Sequence, residues 1–183
     1  MLLAPAIVSV PVWPWARFEH AQFPVTTTHK AILEAARSWR RINGSLALLG
    51  PTGAGKTASA VALAHRIIDA CLARKRSDAD MRFAVGLRFI SAKDLAQARR
   101  EHKLGAGDSP LEAMAIAATL LILDELGYEP QIDTTISDVV DARYRAGLPI
   151  VVTSGLSEAE LAVRYGDAVK RRLCERGRVV SAF

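Results

Sequence analysis

Cysteine is scarce: Cys71 and Cys174 are the only two in 183 residues. Their wide spacing argues against a disulfide framework or a thiolate zinc site and suits a reducing compartment. No stretch is long and apolar enough to read as a membrane span. The apolar start, Met1 to Ala16, is broken by Pro5, Pro11 and Pro14 and lacks the basic lead of a secretory signal. Internal repeats and low-complexity linkers are also missing, which removes solenoids and tethered arrays. What remains is a chain that is 50% hydrophobic with a net charge of +5. That composition excludes a disordered protein and permits an acidic partner without requiring one. A cytoplasmic location with no membrane partner is expected.

The length fits one α/β unit with a real core. Residues 1–27 read as an extended arm, because Val12-Trp13-Pro14-Trp15 cannot sit inside a helix. Its tryptophans are expected to cover the chain's own surface rather than dock a partner. Residues 28–183 form the folded unit. Helical spacing of Ala31, Ile32, Ala35, Ala36 and Trp39 predicts a helix over Thr28 to Arg41. A first strand is expected at Ser45 to Leu49, then a helix from Thr57 that dissolves at Arg74 to Asp78, and a second strand near Arg82 to Ile90. Ser91 with Asp94 caps a helix ending near Leu104-Gly105, and Ser109-Pro110 opens another. A wholly apolar strand follows at Thr119 to Leu123, then a helix over Thr134 to Arg145 that stops at Gly147. The last elements are a strand at Pro149 to Thr153, a helix opened by the Ser157 to Glu160 capping box, a helix at Asp167 to Glu175, and a fifth strand at Arg178 to Ala182. Strands alternating with helices imply a mainly parallel five-stranded sheet covered on both faces.

The chemistry sits at two strand ends. Gly50-Pro51-Thr52-Gly53-Ala54-Gly55-Lys56-Thr57 follows the first strand and precedes a helix, the context that makes such a loop a phosphate cradle. Its glycines let backbone N–H groups approach phosphate oxygens, and the helix N-terminus adds positive potential. Lys56 can reach the β- and γ-phosphates of a bound nucleotide, and the Thr57 hydroxyl can ligate Mg²⁺. Four apolar residues, Leu120 to Leu123, then end in Asp124 and Glu125. Strand burial places both carboxylates at the carboxyl edge of the sheet, where open α/β sheets take ligands. Asp124 is expected to hold Mg²⁺ and Glu125 to orient or deprotonate water. An acid placed for water favours hydrolysis over simple carriage of the nucleotide.

These two motifs, with Arg17-Phe18-Glu19, Leu121 to Pro130, Val139 to Tyr144, Leu148 to Ser154, Leu156 to Leu161, Tyr165-Gly166 and Arg171-Arg172-Leu173, resemble the AAA+ ATPases. Within them the likeness is to DnaC-type helicase loaders and the related IstB-type transposition helpers. It runs from about Arg17 to the C-terminus. The resemblance implies a P-loop NTPase three-layer sandwich, ATP bound between subunits of a homo-oligomer, and an arginine reaching the neighbour's γ-phosphate. Arg172 best matches that finger, with Arg171 second. It further implies single-stranded DNA and a replicative helicase as partners, or a transposase in the IstB-type alternative. Lys93, Arg99, Arg100 and Lys103 fall where the family faces single-stranded DNA, although no aromatic interleaves with them for base stacking.

Three departures stand out. The family commonly ends its sensor strand in Thr-Ser-Asn, whereas this chain has Thr153-Ser154-Gly155. Sensing then falls to Thr153 or Ser154, and slow hydrolysis is expected. Little sequence precedes the ATPase unit, unlike DnaC-type loaders with their N-terminal helicase-binding domain. No C-terminal helical lid is expected, since the sequence stops after the fifth strand. A non-hydrolysing ATP-gated binding protein is the rival motivated by Gly155. A small-molecule kinase is disfavoured by Glu125 and by the lack of an arginine-rich lid.

Overall fold

A computed structural model describes residues 10–11, 13–20, 22–23, 28–73, 86–103, 105, 109–130, 134–175 and 177–183. Helix α1 (Lys30–Ser38) and a short 3-10 turn (Arg41–Asn43) lead into β1 (Ser45–Leu49) and α2 (Lys56–Ala73). Then come β2 (Leu87–Ser91), α3 (Ala92–Glu101), α4 (Pro110–Ala117), β3 (Leu120–Leu126), α5 (Thr135–Ala146) and β4 (Ile150–Ser154). Helices α6 (Glu158–Tyr165) and α7 (Asp167–Glu175) precede β5 (Gly177–Ser181). The expected dissolution of α2 at residues 74–78 and the start of β2 at residues 82–85 lie outside the described residues.

The five strands form one sheet in the order β2-β3-β4-β1-β5, and every adjacent pair is parallel. Side chains alternate along each strand, so one strand feeds two cores. Leu46, Leu48, Ile122, Val151 and Val180 face α1, α2 and the arm. Ala47, Leu49, Leu121, Leu123 and Val152 face α3, α5 and α7. The result is three layers, as the sequence predicts.

Local chemistry sets the helix ends. Ser91 and Ser109 accept from the amides of Asp94 and Glu112, and Ser157 with Glu160 closes a capping box. Gly147 ends α5 in the left-handed conformation. A buried cation joins two elements. Arg143, fully buried on α5, donates to the carbonyls of Ala115 (2.7 Å), Ile116 (3.0 Å) and Ala118 (2.8 Å), and to Pro149 (2.6 Å). The first three are the orphan carbonyls at the end of α4, where partial negative charge gathers. Burial pushes the guanidinium down to about 10, still charged at neutral pH.

The arm differs from the extended form expected of it. Its described residues wind through turns, with Trp13 N–H to Pro11 O, Ala16 N–H to Trp13 O and His20 N–H to Arg17 O. Prolines fix φ at turn positions and so fold this segment back. Val10, Ala16, Phe18 and Phe23 are buried, and the stacked pair Trp13–Trp15 packs on the core's edge. Both nitrogens of buried His65, on α2, meet arm carbonyls, Ala16 O at 2.9 Å and Pro11 O at 3.2 Å. Arg17 pairs with Asp69 at 2.9 Å.

Candidate nucleotide site

The phosphate loop joins β1 to α2 at the carboxyl edge of the sheet. Gly55 has φ 79°, and a Cβ there would lie 2.4 Å from Thr28 Oγ1, so neither the backbone nor the space admits a side chain. Gly50 N–H donates to Ser154 O at 3.2 Å, which ties the loop to the end of β4. Lys56 Nζ folds back onto the loop and donates to Gly50 O (2.6 Å) and Pro51 O (2.8 Å). Burial lowers its pKa, opposed by the charges of Asp124 and Glu125.

Asp124 is the convergence point. Thr57 Oγ1 donates to its Oδ1 at 3.0 Å, and Thr153 Oγ1 donates to the same oxygen at 2.5 Å. Three elements thus meet at one carboxylate: α2, β3 and β4. Burial pushes the carboxyl up from its ordinary range, against the two hydroxyls, the Glu125 amide and the Lys56 charge. A buried acid short of positive charge beside a hydroxyl is an oxygen donor set that suits a hard divalent cation.

Glu125 sits on a β-bulge, where the β3–β4 register shifts between Leu123 and Leu126. It has φ 58°, a conformation that costs a non-glycine residue about 1–3 kcal/mol. Its amide donates to Thr153 Oγ1 at 3.0 Å, and its carbonyl accepts from Tyr128 N–H at 3.2 Å. The bulge turns consecutive carboxylates to different tasks. Asp124 points into the protein, and Glu125 is exposed on the wall of a cavity of about 260 Å³. That cavity is lined by Thr52, Gly53, Lys56 and Thr57 from the loop side and by Tyr128, Thr153, Ser154 and Gly155 opposite.

The structure therefore brings residues 50–57, Asp124, Glu125, Thr153 and Ser154 together. The two hydroxyls expected to sense phosphate are already engaged. Thr153 bonds Asp124 and the Glu125 amide, while Ser154 Oγ donates to Leu126 O (2.6 Å) and accepts from Leu156 N–H (3.0 Å). Arg172 lies elsewhere. It pairs with Asp141 on α5 at 2.7 Å and lines a second cavity of about 260 Å³ with Ser45 and Ile150, at the strands' opposite ends. Arg171 is more exposed and stands 3.8 Å from Glu175. Of the four cations set against DNA, all are exposed, but Arg99 reaches the buried Glu112 at 3.3 Å and so leans toward α4. Lys93 and Arg100, seven residues apart, share the outer face of α3; Lys103 follows the helix.

One constellation gave no signal in the sequence. Glu129, nearly fully buried, accepts from Gly127 N–H (3.0 Å), from Arg164 Nε (3.1 Å) and from Tyr165 Oη. Arg164 also donates to the Glu129 carbonyl. Burial and the adjacent carboxylate hold the Tyr165 hydroxyl far above its usual pKa. This buttress fixes the segment after β3 against α6. Its members lie 35 and 36 residues apart, beyond any local pattern.

Comparison with solved structures supports the same architecture. The DnaC helicase loader aligns with TM-score 0.65 at 20% identity, over 92% of this chain and 97% of that one. DnaI aligns with TM-score 0.60 at 18% identity, over 82% and 80%. The replication initiator DnaA bound to AMPPCP and single-stranded DNA aligns with TM-score 0.59 at 21% identity, over 83% of this chain and 44% of that one. At these identities the likeness establishes the fold. No curated protein matches the sequence. Among the described residues, no helix is long and apolar enough to cross a membrane. The family described as IstB-like ATP binding protein matches residues 14–174, nearly the whole chain, and the chain belongs to that ATP-binding family.

Proposed function

We propose that this chain hydrolyses ATP at a site shared between subunits and uses the nucleotide state to grip a DNA-bound partner. The observation that carries the reading is the meeting of Thr57, Asp124 and Thr153 on one carboxylate, beside Lys56 and exposed Glu125. In this reading the amides of residues 53–57 and the α2 N-terminus bind the phosphates. Lys56 leaves its two carbonyls for the β- and γ-phosphates. Thr57 and Asp124 would hold Mg²⁺, which neutralises phosphate charge when bound. Glu125 orients the attacking water and takes its proton. Arg172 serves the neighbouring subunit's site, with Arg171 the runner-up. Lys93, Arg99, Arg100 and Lys103 contact the backbone of single-stranded DNA.

The proposed client is a replicative helicase, supported by the fold shared with the DnaC helicase loader over nearly all of that chain. A transposase is the second reading, favoured by the IstB-like family match. The test is ATP turnover against protein concentration, with and without single-stranded DNA, using Lys56→Ala as the inactive control. A specific rate that rises with concentration and responds to DNA supports the reading. Tight ATP binding without turnover at any concentration rejects hydrolysis and leaves a nucleotide-gated binding protein. Capture of purified helicase or transposase by the ATP-bound protein then separates the two clients.

A further inference from the structure

On the cavity wall opposite the phosphate loop, Thr153 and Ser154 are buried and their hydroxyls are held by protein partners. Gly155 offers no side chain. Among the described residues, the Tyr128 hydroxyl on that wall has no hydrogen-bond partner. Tyr128 lines the cavity and is 61% exposed. Its position is tied to Gly155: a Cβ at residue 155 would lie 3.4 Å from the Tyr128 Oη and 3.6 Å from its ring. Unlike Gly53 or Gly55, Gly155 has no left-handed φ, so its backbone does not demand glycine. The Tyr128 hydroxyl and ring instead lie within van der Waals reach of residue 155, beside the space a side chain there would enter.

The backbone that carries the ring is held by its neighbours. Tyr128 N–H donates to Glu125 O, and its neighbours Gly127 and Glu129 are locked by the Glu129–Arg164–Tyr165 buttress. A neutral donor carried on a fixed backbone beside an anion site needs little rearrangement when the ligand arrives, which favours its bond. We propose that Tyr128 donates its hydroxyl hydrogen bond to the terminal phosphate of a bound nucleoside triphosphate. It thereby distinguishes triphosphate from diphosphate. The proposal rests on the phosphate-loop reading of the cavity and adds a residue to it.

Tyr128→Phe removes the hydroxyl and keeps the ring. The variant and the unaltered protein are titrated with Mg²⁺-ADP and with Mg²⁺-AMPPCP, whose terminal phosphate cannot be hydrolysed. Loss of one hydrogen bond to a charged group predicts AMPPCP binding weaker by about tenfold or more, with ADP binding unchanged. Adding Gly155→Asn to Tyr128→Phe places an amide in the space the hydroxyl leaves and restores the preference for AMPPCP. An unchanged AMPPCP-to-ADP ratio in Tyr128→Phe overturns the proposal. Equal weakening of both ligands overturns it too, since the hydroxyl then aids binding without reading the terminal phosphate. An unaltered protein that binds neither nucleotide removes the phosphate-loop reading itself, and Tyr128 falls with it.

Discussion

At the scale of single residues, Asp124 carries a burial cost that its hydrogen bonds and Lys56 only partly offset. Its folded pKa is raised, so the native state holds the proton to higher pH than the unfolded chain does. Ionised Asp124 therefore lowers stability as pH climbs from the ordinary carboxylate range through the raised value, and the loss persists above it. Asp124→Asn keeps an oxygen for Thr57 and Thr153 and removes the charge. Ligand-free, this variant melts higher than the native sequence at pH 7, and the gap closes as pH falls below the usual carboxylate range. Its stabilisation by Mg²⁺-ATP is lost. A lower melting temperature at pH 7 would mean that attraction to Lys56 outweighs burial. Glu125 has the opposite character, exposed and strained rather than buried. Glu125→Gln preserves ATP affinity and drops turnover by about 10²-fold or more, the usual scale for losing a positioned base. Single-turnover hydrolysis at the native rate would assign the water to another group.

At the scale of elements, Arg143 shows how the helices on one face are locked together. Arg143→Met fills much of the volume but takes the guanidinium donor from three carbonyls at the end of α4 and from Pro149 O, which keeps only the longer bond from Leu121 N–H at 3.5 Å. Each unsatisfied group costs about 1–3 kcal/mol, so a loss of at least 3 kcal/mol is expected in urea unfolding. A loss below about 1 kcal/mol would mean that water reaches those carbonyls. The sequence announces none of this, because a mid-helix arginine looks like a solvated charge. What was legible followed local rules: serine caps, the Gly147 stop, and apolar strand runs each placed an element within a few residues of its observed bounds. The phosphate loop and the Asp124-Glu125 pair were legible for the same reason, as contiguous motifs at strand ends. Contacts between distant segments were not. The Glu129–Arg164 pair, the Tyr128–Gly155 approach and the engagement of Ser154 at the bulge depend on β3, β4 and α6 meeting in space. The arm shows the limit in another way. Its prolines argue against a helix, but whether the described part of the chain runs straight or turns depends on the buried surface of α2 that it covers.

At the scale of the whole molecule, the two cavities lie at opposite ends of the sheet, and that separation shapes the assembly proposed here. Lys56, Glu125 and Tyr128 open at the carboxyl edge, while Arg172 lines the cavity at the other end, paired with Asp141. Among the described residues, no arginine lines the nucleotide cavity. In the proposed assembly, Lys56 is joined by a second cation from another copy of the chain, whose Arg172 exchanges Asp141 for phosphate. Arginine fingers supplied in trans are worth about 10³–10⁵ in rate. Arg172→Ala should therefore bind ATP with unaltered affinity at low protein concentration, where subunits are apart. Its turnover should stay near the low-concentration rate as the protein is concentrated, where the native sequence accelerates. Mixing Arg172→Ala with Glu125→Gln provides the decisive case: where the site of an Arg172→Ala subunit meets the finger of a Glu125→Gln subunit, intact Glu125 faces intact Arg172, so the mixture should regain activity that neither variant has alone. A mixture as inactive as its parts would place the finger at Arg171 or remove the shared site.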